Sequence, residues 1–344
     1  VFQDTGARVP ANAAVLALLA MCGCSLSLPW SDTQPTDAGT SPADVACTPP
    51  PMCPAGGAAC VVVSGEDEPW GITTDSTNVY WTTIPGLVKA APLSGGPPVT
   101  LASNQGSLSA IVNDGTGVYW TGSEGLMKAP LDGGAPVVLY PVPGDPGASV
   151  RGRIAVGPGG VYVEFAGGTI VEFPSNGTPF TTVATGVGSD FAVDAANVYS
   201  TSFTENAVVT STPLDGGAPA TLATGQYLPD AIVAAGGRAY WIAWSGDVRS
   251  ASAASPGSIT TLASKEGAMF GLAVDSQYAY WSNDVGVIQA PLDGGPAATL
   301  VPGVVAQEIA LAPGGVYWTT VQTNLCDANA TGAGGIMMIP SSGP

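Results

Sequence analysis

One phrase returns along this chain at nearly constant spacing, and that regularity restricts the fold more than any composition could. Asn78-Val79-Tyr80-Trp81-Thr82 is followed by Gly-Val-Tyr-Trp-Thr at 117–121, Ala-Tyr-Trp at 239–241, Ala-Tyr-Trp-Ser at 279–282 and Val-Tyr-Trp-Thr at 316–319. Two further copies, around Tyr162 and Tyr199, keep only the tyrosine. The seven anchors Tyr80, Tyr119, Tyr162, Tyr199, Tyr240, Tyr280 and Tyr317 are separated by 39, 43, 37, 41, 40 and 37 residues. A period near 40, filled with short alternating segments and Gly-rich turns, is that of an all-β propeller with one blade per repeat. The expectation is a seven-bladed β-propeller of four-stranded antiparallel blades.

Each repeat divides into strands a to d. Strand a carries Ile72, Ile111, Ile154, Phe191, Ile232, Leu272 and Ile309 and is expected nearest the axis. Strand b holds the Tyr-Trp pair, strand c ends in Pro-Leu-Asp-Gly-Gly or a variant, and strand d alternates a Leu column (Leu101, Leu139, Val183, Leu222, Leu262, Leu300) with Thr. The C-terminal repeat stops after its strand c, at Ile336 to Ile339. Residues 56–64 align without a gap on 95–103, which puts Val62 in the Leu column. An N-terminal strand at about 60–63 is therefore expected to complete the last blade and cover its open edge.

The turn between strands a and b holds Asp75, Asp114, Asp194 and Asp275, but Gly157, Ala235 and Ala312 stand there in the other repeats. Asp and Gly both suit tight turns, whereas only Asp could hold a cation, so these are read as turn residues and no metal is expected. Trp81, Trp120, Trp241, Trp281 and Trp318 share one column and are read as packing between blades.

Before the repeats, residues 1–24 read as a signal peptide whose apolar run, Ala11 to Met21, is too short to span a bilayer. The run ends in Leu-Ala-Met-Cys-Gly-Cys, which resembles the lipobox of bacterial lipoproteins, with Cys24 as the residue that would be lipidated. Residues 25–56 are Ser, Thr, Asp, Pro, Gly and Ala with little apolar surface, a disordered tether with a Cys-containing end, and 57–344 form the propeller. Cys47, Cys53, Cys60 and Cys326 are an even set in an exported chain and are expected to form disulfides, with three connectivities open. The alignment favours Cys60 with Cys326, both in the closing blade, and Cys47 with Cys53. The chain is expected in the bacterial cell envelope as a lipoprotein or, alternatively, secreted, touching a membrane only through a lipid anchor.

The formal charge of −18 argues against nucleic acid as a partner, and the absence of histidine removes the usual general base. The pattern of Tyr-Trp-Thr, a strand ending in Leu-Asp-Gly, a Leu-rich strand and Gly-Ile-x-x-Asp resembles the YWTD propellers of the LDL-receptor class over roughly residues 58–344. That family has six blades and Asp in its fourth motif position, where this chain has Thr83, Gly122, Asn283 and Thr320. The resemblance implies an extracellular binding module.

Residues that break the repeat are the candidate site. Just before the Ile column stand small residues, Gly71, Ala110, Ala231 and Gly271, except where Arg153, Asp190 and Glu308 replace them. One position earlier stand Trp70, Asp230, Phe270 and Gln307, and Trp244 lies in a b-to-c loop. These eight residues are expected to ring the channel mouth on the face of the variable loops, the longest of which are 140–153 and 319–335. They suit a polar or cationic group on a protein, peptide or glycan. No catalytic residue and no cofactor is identified. The alternative reading is a calcium-dependent hydrolase or lyase-like enzyme, which needs several acidic ligands at the mouth.

Overall fold

The computed structural model describes residues 59–131, 134–141, 150–174, 179–188, 190–321 and 334–340. They form seven four-stranded antiparallel sheets, each ordered a-b-c-d. The seven strands a are Pro69–Thr74, Leu108–Asn113, Val150–Gly157, Asp190–Val193, Pro229–Ala235, Met269–Val274 and Ala306–Ala312, for blades 1 to 7. Each packs on the next, and that of blade 7 packs on that of blade 1, so strand a is the innermost and the ring is closed. The closure is made by the strand Cys60–Glu66, which pairs with Gly334–Pro340 and sets Cys60 opposite Met338. It runs three residues beyond the expected 60–63. Cys60 is fully buried there, while Cys24, Cys47, Cys53 and Cys326 lie outside the described residues, as do most of the two long loops.

Alternation along strand b explains the Tyr-Trp pair. Neighbouring residues of a strand point to opposite faces, so the tyrosine of one blade and the tryptophan of the following blade meet in the same interface. Tyr80 and Trp120 share one cluster, Tyr199 and Trp241 another, and Tyr317 and Trp81 the one that seals the ring. All five tryptophans of the column are fully buried. Burial of a large side chain contributes about 1.5–3 kcal/mol, so the column alone is a large part of inter-blade cohesion.

Those indoles still carry an N–H. In three interfaces it finds an acceptor fifteen residues earlier, at the end of the preceding strand d or in the loop that follows it. Trp81 Nε1 donates to Glu66 Oε2 at 3.0 Å, Trp120 to Gln105 Oε1 at 3.2 Å and Trp241 to Gln226 Oε1 at 3.3 Å. Lys89 and Arg249 hold Glu66 and Gln226 from strand c, each at 2.7 Å. Gly303 occupies the matching place before Trp318, whose N–H has no acceptor among the described residues.

The simple alternation expected of strand d needs correction. Every strand d carries a register shift that places its Leu-column residue between two paired neighbours: Val88 pairs with Ala102 and Lys89 with Thr100, leaving Leu101 as the extra residue. The same shift isolates Leu139, Val183, Leu222, Leu262, Leu300 and, in the closing strand, Val62. A bulge lets two consecutive residues serve one face, which is why Ala102, Ala184, Ala223 and Ala263 are buried beside the column. Leu139, read as inward, is exposed.

At the a-to-b turns each aspartate uses both oxygens internally. Asp75 Oδ1 accepts the amides of Thr77 and Asn78 at 2.7 Å each, and Oδ2 accepts the Tyr80 hydroxyl at 2.7 Å. Asp114, Asp194 and Asp275 repeat the arrangement with Tyr119, Tyr199 and Tyr280. Turn geometry thus accounts for the Asp, which in these four blades also accepts the hydroxyl of the tyrosine five residues later.

Candidate ligand-binding mouth

The opposite end of the ring is built on a second set of bulges. Pro69 pairs with Thr83 and Ile72 with Trp81, so Trp70 and Gly71 together face Thr82 alone. Strand a of blades 2, 3, 5, 6 and 7 is irregular at the same place, and only that of blade 4, which starts at Asp190, is regular. Seven of the eight candidate residues therefore lie on or beside an irregular start of strand a or in the adjoining b-to-c loop. Bulges free a strand from strict alternation and re-aim its side chains. The amide displaced from the ladder is not left unpaired, because the third residue of the Tyr-Trp-Thr phrase accepts it. Gly71 N donates to Thr82 Oγ1 at 3.0 Å, Gly271 N to Ser282 Oγ at 2.8 Å and Glu308 N to Thr319 Oγ1 at 3.3 Å. Two of these hydroxyls donate onward to the next blade: Ser282 to the Gln307 carbonyl and Thr319 to the Trp70 carbonyl, both at 2.8 Å. The backbone that presents Trp70, Gln307 and Glu308 is pinned from both sides.

Charge is divided unevenly around the mouth. Arg153 of blade 3 reaches Asp190 of blade 4 at 3.5 Å and Asp230 of blade 5 at 3.4 Å. Asp190 is buried, and its oxygens also accept the amides of Phe191 at 2.8 Å and Ile232 at 3.2 Å. Asp230 Oδ2 accepts the indole N–H of Trp244 at 3.5 Å. The guanidinium is held above its ordinary pKa, first by Asp190 and then by Asp230 and Glu308. Burial pushes Asp190 up, against the pull of Arg153 and the two amides. On blade 7, burial pushes Glu308 up to about 7; Arg153 opposes this, and Asp190 and Asp230 add to it. No side chain of the described residues donates to the Glu308 carboxylate within hydrogen-bond or ion-pair distance.

Around these charges stand exposed rings. Trp70 is 40% exposed, Phe270 44% and Trp244 60%. Trp70 and Phe270 sit on the strands that flank the strand of Gln307 and Glu308. Phe203 meets Trp244 edge to face at 5.3 Å, and Tyr227, just before strand a of blade 5, is also exposed. Sequence columns brought Arg153, Asp190, Asp230 and Trp244 to one place, and there the structure joins them. The columns missed Phe203 and Tyr227, because both lie in connections without a counterpart in other repeats; their signal was an aromatic residue in a variable loop.

No protein-family model matches the sequence, and no characterised protein matches it at the level of sequence. Solved structures do. The chain is similar to a structure of a nidogen/laminin complex at 19% identity and a TM-score of 0.44, over 71% of this chain and 84% of that one. It is similar to YCF48 bound to the D1 peptide at 14% identity and a TM-score of 0.59, over 83% of this chain and 94% of that one. The WD40 β-propeller domain of Doa1 aligns at 12% identity and a TM-score of 0.60, over 83% and 98%. What the last two share with this chain is the propeller fold.

Proposed function

We propose that this protein is an exported, lipid-anchored binding module of the cell envelope that takes a protein or peptide ligand at the mouth described above. The observation that carries the reading is the ring of exposed aromatic side chains, Trp70, Phe203, Tyr227, Trp244 and Phe270, around a channel mouth lined with charge. Concave surfaces with a few polar groups among aromatic ones are where ligands bind. These five rings stand outside the buried tryptophan column that holds neighbouring blades together. The YCF48 structure holds a peptide, which supports a peptide as ligand class on this fold. Export and anchoring rest on residues 1–24, with Cys24 as the lipidated residue, and Cys60 is proposed to close the last blade through a disulfide to another cysteine of the mature chain.

The test is a peptide array probed with the purified propeller and with a Trp70→Ala, Trp244→Ala, Phe270→Ala variant of equal melting temperature. Peptides retained by the first and released by the second support the site; equal capture by both overturns it. Cys24→Ser should abolish partition into detergent, and unreduced peptide mapping should return a cross-linked Cys60 peptide.

A further inference from the structure

The two halves of the mouth differ in how much of their charge is already used. On blades 3, 4 and 5, Arg153 lies between Asp190 and Asp230, and all four carboxylate oxygens there have partners: the amides of Phe191 and Ile232, the guanidinium, and the Trp244 indole. A cationic ligand arriving at that half would have to displace Arg153. On blades 6, 7 and 1 the carboxylate of Glu308 has no donor among the described residues, and the strands on either side of it present Phe270 and Trp70. The spacing there is tight and fixed. A Cβ at Gly271 would come within 3.0 Å of Glu308 Cα and 2.9 Å of the Gln307 carbonyl, so the strands of blades 6 and 7 are in backbone contact. The carbonyls of Gln307 and Trp70 are both tied by hydroxyls of the preceding blade.

We infer that the blade 6–7–1 half of the mouth is a seat for a single organic cation, the ammonium or guanidinium of a lysine or arginine side chain on the bound peptide, with Glu308 as its counter-ion and Trp70 and Phe270 as the flanking faces. This rests on the proposed function and names the ligand group that function would select. An aromatic face attracts a cation through its quadrupole, and a carboxylate supplies the full charge, so the two together discriminate an alkylammonium from a neutral chain of equal length. Arg153 then has a defined part. It neutralises the acids of blades 3 to 5, and of Asp190, Asp230 and Glu308 it leaves only Glu308 without a fixed partner among the described residues. The groups facing Glu308 are Arg153, Asp190 and Asp230, each from a different strand a. Binding should accordingly follow ionisation of Glu308 and strengthen with rising pH.

Nα-acetyl-lysine amide and Nα-acetyl-arginine amide are the probes, with the Nε-acetylated lysine amide as neutral control, titrated against ¹⁵N-labelled full chain while the Trp70 indole resonance is followed. The expected result is saturable movement of that resonance by the two cationic probes and none by the control. Glu308→Gln should weaken binding at least tenfold, and Asp230→Asn less than threefold. With Glu308 titrating at about 7, affinity should rise about tenfold from pH 6 to pH 8 in the native chain and stay flat in Glu308→Gln. Equal binding of the neutral control, or undiminished binding by Glu308→Gln with its melting temperature intact, overturns the inference. In that event array peptides released by the rim variant would leave the proposed function standing, whereas their retention would remove both.

Discussion

The two ends of the ring treat acidic side chains in opposite ways. At the turn end, Asp75 and Asp114 spend both oxygens on backbone amides and a tyrosine hydroxyl. Burial works against their ionisation, yet those hydrogen bonds outweigh it and hold both carboxyls below their ordinary range. At the mouth end, burial and neighbouring acids prevail, and Asp190 and Glu308 are both pushed up. A pKa difference between folded and unfolded chain is a stability difference. The turn acids therefore stabilise the fold when ionised, and Glu308 destabilises it when ionised. A scaffold has reason to retain the first kind; the second is understandable where a ligand supplies the missing partner.

The largest effect should come from breaking the ring that keeps the two ends in place. Deleting residues 1–66 removes the buried Cys60, Val62 and Val63 and the Glu66 acceptor of Trp81. At about 1.5–3 kcal/mol for each large apolar group, and roughly 2–4 °C for each kcal/mol in a domain of this size, the melting temperature should fall by more than about 10 °C. An unchanged value would refute closure by this strand. Next, Asp75→Ala with Asp114→Ala should cost about 2–6 kcal/mol in denaturant titration, since each change strands a tyrosine hydroxyl and two amides. A loss below about 1 kcal/mol would show that the turn end does not depend on these bonds.

A smaller effect, of opposite sign at the two ends, should appear with pH. The stability supplied by Asp75 and Asp114 is present above their unfolded pKa of about 4 and is lost as pH falls through their lowered folded values. Glu308, raised to about 7, contributes stability that is present below its unfolded pKa of about 4.5 and is lost as pH rises through 7. Glu308→Gln should thus raise the melting temperature by roughly 2–4 °C at pH 8 and leave it unchanged at pH 4. Destabilisation at pH 8 would mean that Glu308 serves the fold. The smallest change in stability is expected for Trp70→Ala with Phe270→Ala, within about 0.5 kcal/mol because both rings are exposed. A larger loss would reassign them to packing.

Blade number, strand order, the closing strand and the role of the turn aspartates were all legible in the chain itself. Each is a local or periodic property: Tyr80 and Asp75 lie five residues apart in one hairpin, and the Tyr-Trp alternation repeats wherever strand b does. The bulges were not legible. An extra residue in strand d shows only as a partner shift across the ladder, so the burial of Ala102, Ala184, Ala223 and Ala263 beside the Leu column could not be read from alternation. Nor could the columns show why Thr82, Ser282 and Thr319 recur, because the amides they satisfy become unpaired only once the neighbouring strand is bulged.

The candidate residues divide along the same line. By itself the sequence determined that Arg153, Asp190, Asp230 and Glu308 stand at one end of the innermost strands, since position within a repeat fixes height along the axis. Only the tertiary structure decided which of them are spent. Arg153 and Asp230 are separated by 77 residues and by one intervening blade. They meet because seven strands converge on a narrow axis, where a long guanidinium side chain spans two interfaces. The carboxylate of Glu308 has no ion-pair partner among the described residues, Arg153 being held by Asp190 and Asp230, and that division is a property of the closed ring.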